Sequence, residues 1–136
     1  MGTPYISFLA GGLRFLIPME YVVVIEPAGK AFDEEMPVYD FGRVCGLGRC
    51  MSESSYMVVV QADAHRLGLI VNLVEKVRMI NEEEVLSPDG PAFWERNEYL
   101  SGVLHMEGMQ PPLAYLLDMP RLWKKLERLE PDYSNN

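Results

Sequence analysis

The sequence predicts a mainly β protein of two related lobes, the first shortened, closed by a C-terminal helix. Two observations carry this. Arg14-Phe15-Leu16-Ile17-Pro18, followed by valine-rich residues 21–25, has a counterpart in Arg66-Leu67-Gly68-Leu69-Ile70-Val71, followed by residues 73–80. Further on, Tyr39-Asp40-Phe41-Gly42-Arg43-Val44 echoes Leu117-Asp118-Met119-Pro120-Arg121-Leu122, an apolar strand ending in Asp before a helical turn. The order is the same, but Arg14 to Asp40 spans about half of Arg66 to Asp118, and two unequal copies are not a fixed-period solenoid.

Residues 5–10 stop at Gly11-Gly12 and residues 13–17 resume, a hairpin over a glycine turn. After Pro18-Met19-Glu20, residues 21–25 are too β-branched to prefer helix and form a third strand. Residues 26–35 read as loop, and residues 36–41 as a fourth strand. Residues 56–61 and 66–71 make a second hairpin around Ala62-Asp63-Ala64-His65, and residues 73–80 follow as a strand. Ser87-Pro88-Asp89-Gly90-Pro91 supplies capping chemistry for a short helix over residues 92–98, then residues 99–106 and 113–117 are extended. The last helix is capped by Asp118, carries Pro120 in its first turn, buries a Leu122, Leu126 and Leu129 stripe, and ends in Lys124, Lys125 and Arg128.

The second copy holds an extra strand, residues 99–106, where the first has only loop. The first lobe therefore lacks a strand, and its free edge near residues 36–41 is expected to pair with a strand from a second copy, giving a homodimer, or from a partner. The expected division is one domain over residues 1–130, with lobe one at about 11–55 completed by other strands, lobe two at about 56–118, a helix over 119–129 and a tail over 131–136. Lobes of about 60 residues are marginal alone, so a shared core is expected.

The formal net charge of −8 and the clusters Asp33-Glu34-Glu35 and Glu82-Glu83-Glu84 disfavour nucleic acid and anionic lipid as partners. No apolar run approaches the ~20 residues of a membrane span, and no secretory signal opens the chain. With only Cys45 and Cys50, read as reduced thiols, a cytoplasmic location is expected.

Several motifs resemble the CheW-like domain, the coupling module of bacterial chemotaxis. They are Phe8-Leu9-Ala10-Gly11-Gly12-Leu13-Arg14-Phe15, Pro37-Val38-Tyr39-Asp40-Phe41-Gly42-Arg43, Gly68-Leu69-Ile70-Val71-Asn72-Leu73-Val74-Glu75, and Glu98-Tyr99-Leu100-Ser101-Gly102 with Leu116-Leu117-Asp118. The resemblance runs from Tyr5 to about Leu126. It implies two intertwined five-stranded barrels and a non-catalytic adaptor joining chemoreceptor tips to the regulatory domain of a CheA-type histidine kinase. By position, the partner-binding residues it implies are Val22, Val24, Arg43, Gly68, Ile70 and Val74. The chain departs from the pattern in lacking the Asn-x-Arg-Gly segment, whose arginine contributes to receptor binding, and in carrying Asn72 where an aspartate is common.

Other chemistry finds less support. Cys45, Cys50, His65 and His105 have the residue types of a zinc site without its spacing. Ser54, Ser55, Asp63 and His65 lack a nucleophile elbow. Gly42, Gly46 and Gly48 do not follow a dinucleotide-binding pattern. Catalysis, metal and cofactor are therefore not expected. The alternative to an adaptor is a small-ligand-binding or divergent regulatory barrel that no longer binds chemoreceptors, recognisable by an apolar pocket with convergent polar groups.

Overall fold

The computed structural model describes residues 2–29, 36–87 and 98–133. Nine strands alternate along the chain: β1 (Thr3–Ala10), β2 (Leu13–Pro18), β3 (Val22–Pro27), β4 (Val38–Asp40), β5 (Tyr56–Ala62), β6 (His65–Val71), β7 (Leu73–Ile80), β8 (Leu100–His105) and β9 (Leu113–Leu117). A one-turn helix, α1 (Phe41–Val44), follows β4, and α2 (Met119–Glu127) follows β9. The expected helix over 92–98 lies outside the described residues but for Glu98.

The β1–β2 hairpin turns on Gly11 and Gly12, both at positive φ (59° and 82°), the geometry of a two-residue loop matched to strand twist. The β5–β6 hairpin turns on Asp63 and Ala64, with the positive φ (55°) falling on Asp63, a residue type that tolerates it. These strands assemble into two sheets of matching order, β7-β1-β2-β9-β8 and β3-β5-β6-β4. In each, a hairpin is flanked by an antiparallel strand on one side and a parallel, Asp-bounded strand on the other.

The flanking strands are exchanged. β3 follows the first hairpin in sequence but pairs with β5 of the second, while β7 follows the second hairpin but pairs with β1 of the first. The lobes are therefore not the consecutive blocks of about 11–55 and about 56–118. The four-stranded lobe is drawn from residues 22–71, and the five-stranded lobe from residues 3–18 and 73–117. This exchange is the intertwining.

Among the described residues the strand ladders form two sheets, one for each β lobe. In the five-stranded lobe one bridge, Leu86 to Val103, brings the chain beyond β7 against β8. Gly102 permits that approach, since a Cβ there would meet Val85 Cγ1 at 2.3 Å.

Among the described residues the four-stranded lobe has no equivalent of β8, as the unequal repeat implies. Its β4 edge is nevertheless not free for a second copy. Val38 donates to the Tyr133 carbonyl (2.9 Å), and Tyr133 donates to the Val38 carbonyl (3.1 Å), an antiparallel bridge from the chain's own tail. The expectation of an exposed edge at residues 36–41 fails because the tail supplies the partner groups.

One core cluster joins the lobes, as two domains too small to stand alone require. Phe8 and Phe15 stack with centroids 5.6 Å apart, and Phe41 meets them edge-on at 5.2 and 4.9 Å. Buried Val58, Leu69 and Ile70 of the other sheet belong to the same cluster, as do Leu122 and Leu126 of α2, with Leu129 packed at its margin. Leu16, Ile80, Leu104 and Leu116 form a second cluster with Met106 and Ala114.

Candidate partner interface

The exposed apolar surface concentrates on β3 and β7, the two strands that occupy the same place in the repeat. Among the described residues each sits at the outer end of its sheet order, paired on one side only. On β7, Leu73, Val77 and Met79 are exposed, Met79 by 64 % and Val77 by 48 %. On β3, Val23 and Val24 are exposed, and Met19 of the preceding 3₁₀ turn adds to the apolar surface. Both strands carry a register shift, between Val22 and Val24 on β3 and opposite Ile6 and Phe8 on β7. Such bulges twist an edge and re-aim its side chains. Edge strands with unpaired backbone groups and apolar side chains recognise other proteins by strand addition or flat apolar contact.

The inner side of β7 is fixed by charge. Arg14, only 2 % exposed, holds Glu75 in a bidentate pair (Nε to Oε1 2.7 Å, Nη2 to Oε2 3.1 Å), and Ser7 donates to the same carboxylate at 2.6 Å. The remaining Arg14 donors reach the Pro111 and Gln110 carbonyls. The Arg14 hydrogen bonds, opposed by burial and aided by Ser7, hold the Glu75 carboxyl below the usual carboxylate range. Asn72 secures the start of the strand, accepting from the Gly11 N–H at 2.8 Å.

Of the six partner-binding residues implied by the resemblance, Val24 is exposed, and Val22 and Val74 are half-buried against the core. Arg43 is half-buried and engaged with Asp132 and the Glu130 carbonyl. Gly68 and Ile70 are buried and offer no surface to a partner. Gly68 serves packing, because a Cβ there would meet Met57 Sδ at 2.5 Å and Val38 Cγ2 at 3.3 Å. Val23, Leu73, Val77 and Met79 were not among the six. Their apolar character, without a partner strand to set the buried face, looks the same as core.

The other candidate chemistries are dispersed. Ser55 donates to the Ser52 carbonyl at 2.8 Å, and Ser54 N–H donates to Ser52 Oγ at 3.3 Å, so these hydroxyls organise a turn. Burial pushes the Cys45 thiol up to about 11, against its hydrogen bond with Tyr99 and the charge of Lys125. It stays protonated at neutral pH. Among the described residues no three potential metal ligands converge. An apolar cavity beside Phe15, Cys45 and Tyr99 measures about 130 Å³, and a larger groove of about 600 Å³, lined by polar and charged side chains as well as Tyr21 and Trp123, lies between the β5–β6 turn and α2.

Comparison with known proteins meets this architecture. The CheW-like domain family matches residues 32–127, so the chain belongs to that family. The matched span omits β1–β3, although the repeat ties these strands to the rest. Among solved structures, the scaffolding protein TtCheW from Thermoanaerobacter tengcongensis superposes with a TM-score of 0.67 at 19 % identity, over 86 % of this chain and 89 % of that one. No curated protein sequence matches. No helix among the described residues is long and apolar enough to cross a membrane.

Proposed function

We propose that this chain is a non-catalytic cytoplasmic adaptor of a chemotaxis-type pathway, coupling receptors to the regulatory domain of a CheA-type histidine kinase. The observation that carries this is the pair of repeat-related edge strands, β3 and β7, bearing exposed apolar side chains on a CheW-like domain. A protein with duplicated lobes and two such edges can hold two partners at once. That is what a coupling role asks of its geometry.

The kinase contact is assigned to β7, where Leu73, Val77 and Met79 lie on a strand held by the buried Arg14–Glu75 pair. A rigid edge loses little freedom on binding. The receptor contact is altered relative to the family pattern, since the Asn-x-Arg-Gly segment is absent from the sequence and Arg43 is committed to the tail. Isothermal calorimetry with the regulatory domain of the cognate kinase is expected to give one-to-one, saturable binding. Absence of heat and of comigration on gel filtration with both partners folded would overturn the adaptor reading.

A further inference from the structure

The short lobe ends in a cradle that the tail occupies. Where β8 pairs with β9 at five positions in the five-stranded lobe, the tail among the described residues meets β4 at a single bridge, Val38 to Tyr133. Asp132 does the rest. Its Oδ2 accepts from the Asp40 N–H at 2.7 Å, Arg43 Nε lies 2.8 Å from Oδ1 and 3.0 Å from Oδ2, and Arg49 Nη1 lies 3.0 Å from Oδ1. Arg43 also donates to the Glu130 carbonyl at 3.0 Å.

The cradle belongs to the body of the protein, not to the tail. The buried Asp40 carboxylate caps α1 by accepting from the Arg43 N–H (3.3 Å), and it anchors the next loop through the N–H groups of Cys50 and Met51 (2.9 Å each). Gly42 lets that loop lie close, since a Cβ there would meet the Gly48 carbonyl oxygen at 2.1 Å. Both arginines are thus carried on a fixed frame. Without an occupant, the N–H and C=O of Val38 and the N–H of Asp40 would lose their partners on a strand whose side chains are buried, an arrangement folded proteins avoid.

We propose that the β4 edge, with Arg43 and Arg49, is a strand-acceptor site for an extended segment bearing a carboxylate, and that residues 130–133 are its resident, displaceable occupant. The occupant's chemistry is read from the resident: a carboxylate opposite the Asp40 N–H, next to a residue whose backbone bridges Val38. Two guanidinium groups select the charge, and the bridge selects an extended backbone running antiparallel to β4. A partner protein's acidic segment fits this description. Because the resident is tethered, an incoming segment competes against a high local concentration, so release of the tail should raise its affinity. This site is separate from β3 and β7 and does not depend on the adaptor reading.

The test uses the full-length chain with Asp132→Ala and a fluorescent peptide of the sequence from Glu130 to Asn136. Anisotropy is expected to show saturable binding to Asp132→Ala and at least tenfold weaker binding to the unaltered chain. Binding should be lost when the peptide's aspartate is replaced by alanine, or when Arg43→Ala is added to the protein. Amide exchange at Val38 and Asp40 should accelerate at least tenfold in Asp132→Ala and slow again with peptide, while the β5–β6 ladder stays protected. A folded Asp132→Ala chain that neither binds the peptide nor loses protection at Val38 and Asp40 overturns the proposal. Should circular dichroism show Asp132→Ala unfolded, Tyr133→Pro removes the N–H that the Val38 carbonyl accepts and keeps the carboxylate; a peptide affinity for that variant no higher than for the unaltered chain overturns the proposal equally. A dimer of the unaltered chain that dissociates on adding peptide would place a second copy's tail in the cradle and overturn the assignment of the resident to the same chain.

Discussion

The two lobes follow the same strand order, yet they hold their matching residues differently. Arg14 and Arg66 correspond in the repeat. Arg14 is buried and bound to Glu75, whereas Arg66 is exposed and donates at 2.6 Å to Gln61, its neighbour across the hairpin. Asp40 and Asp118 correspond likewise. Both cap a following helix, but Asp40 is fully buried and anchors three further hydrogen bonds to the loop at Cys50 and Met51, while Asp118 remains partly exposed and caps through the Arg121 N–H. In the lobe with four strands among the described residues, the Asp organises both a loop and the arginine that clasps the tail. The complete lobe spends its buried charge on steadying β7. The polar interactions thus differ between two lobes of matching strand order.

The sharpest way to break this comparison is to remove one partner from the arginine pairs. Glu75→Ala leaves the Arg14 guanidinium buried without its carboxylate, and should cost about 3 kcal/mol in urea unfolding. Gln61→Ala, beside exposed Arg66, should stay within about 0.5 kcal/mol. Equal losses would mean that the lobes do not differ as described. Next come the caps. Asp40→Ala removes a cap and several N–H partners in a buried site, an expected loss of about 3 kcal/mol, against about 1 kcal/mol for Asp118→Ala.

The smallest effect is in acid. Burial raises the Asp132 carboxyl, but the Arg43 hydrogen bond, the Asp40 N–H and the charges of Arg43 and Arg49 outweigh it and leave the group below its ordinary value. Glu75 is lowered as well. A carboxyl depressed in the folded state contributes stability that is fully present above its unfolded value and fades as pH falls through the folded one. Stability should therefore drop on acidification below the ordinary carboxylate range. Asp132→Ala should flatten that slope slightly and Glu75→Ala more. An unchanged slope in both variants would contradict the assigned pairs.

Much of the fold was legible because its local signals agree. Gly11-Gly12 announced one hairpin, two apolar runs flanking Ala62-Asp63-Ala64-His65 announced the other, and Asp118, Pro120, Leu122 and Leu126 announced α2. Strand exchange was legible only through the family resemblance, since an apolar run at β3 or β7 marks a strand without naming its neighbour. The unequal length of the repeat could be read from the sequence, but the tail's place beside β4 could not. Pro131-Asp132-Tyr133 is too short and polar to read as a strand, and only the folded proximity of Arg43, Arg49 and Val38 gives it that role. Surface and core positions were not separable in the sequence for the same reason. Val24 emerges at the surface while Ile70, equally β-branched and equally in a strand, is sealed between sheets.

The adaptor account rests most heavily on β7, and a single titration tests it directly. The regulatory domain of the cognate kinase is titrated by calorimetry into the unaltered chain and into Val77→Asp, which places a charge on an exposed site and should leave the fold intact. The account predicts one-to-one binding to the unaltered chain and at least a tenfold weaker affinity for Val77→Asp, a change of about 1.4 kcal/mol. Equal affinity for the two would contradict the assignment of β7, and no binding to either would contradict the adaptor role itself.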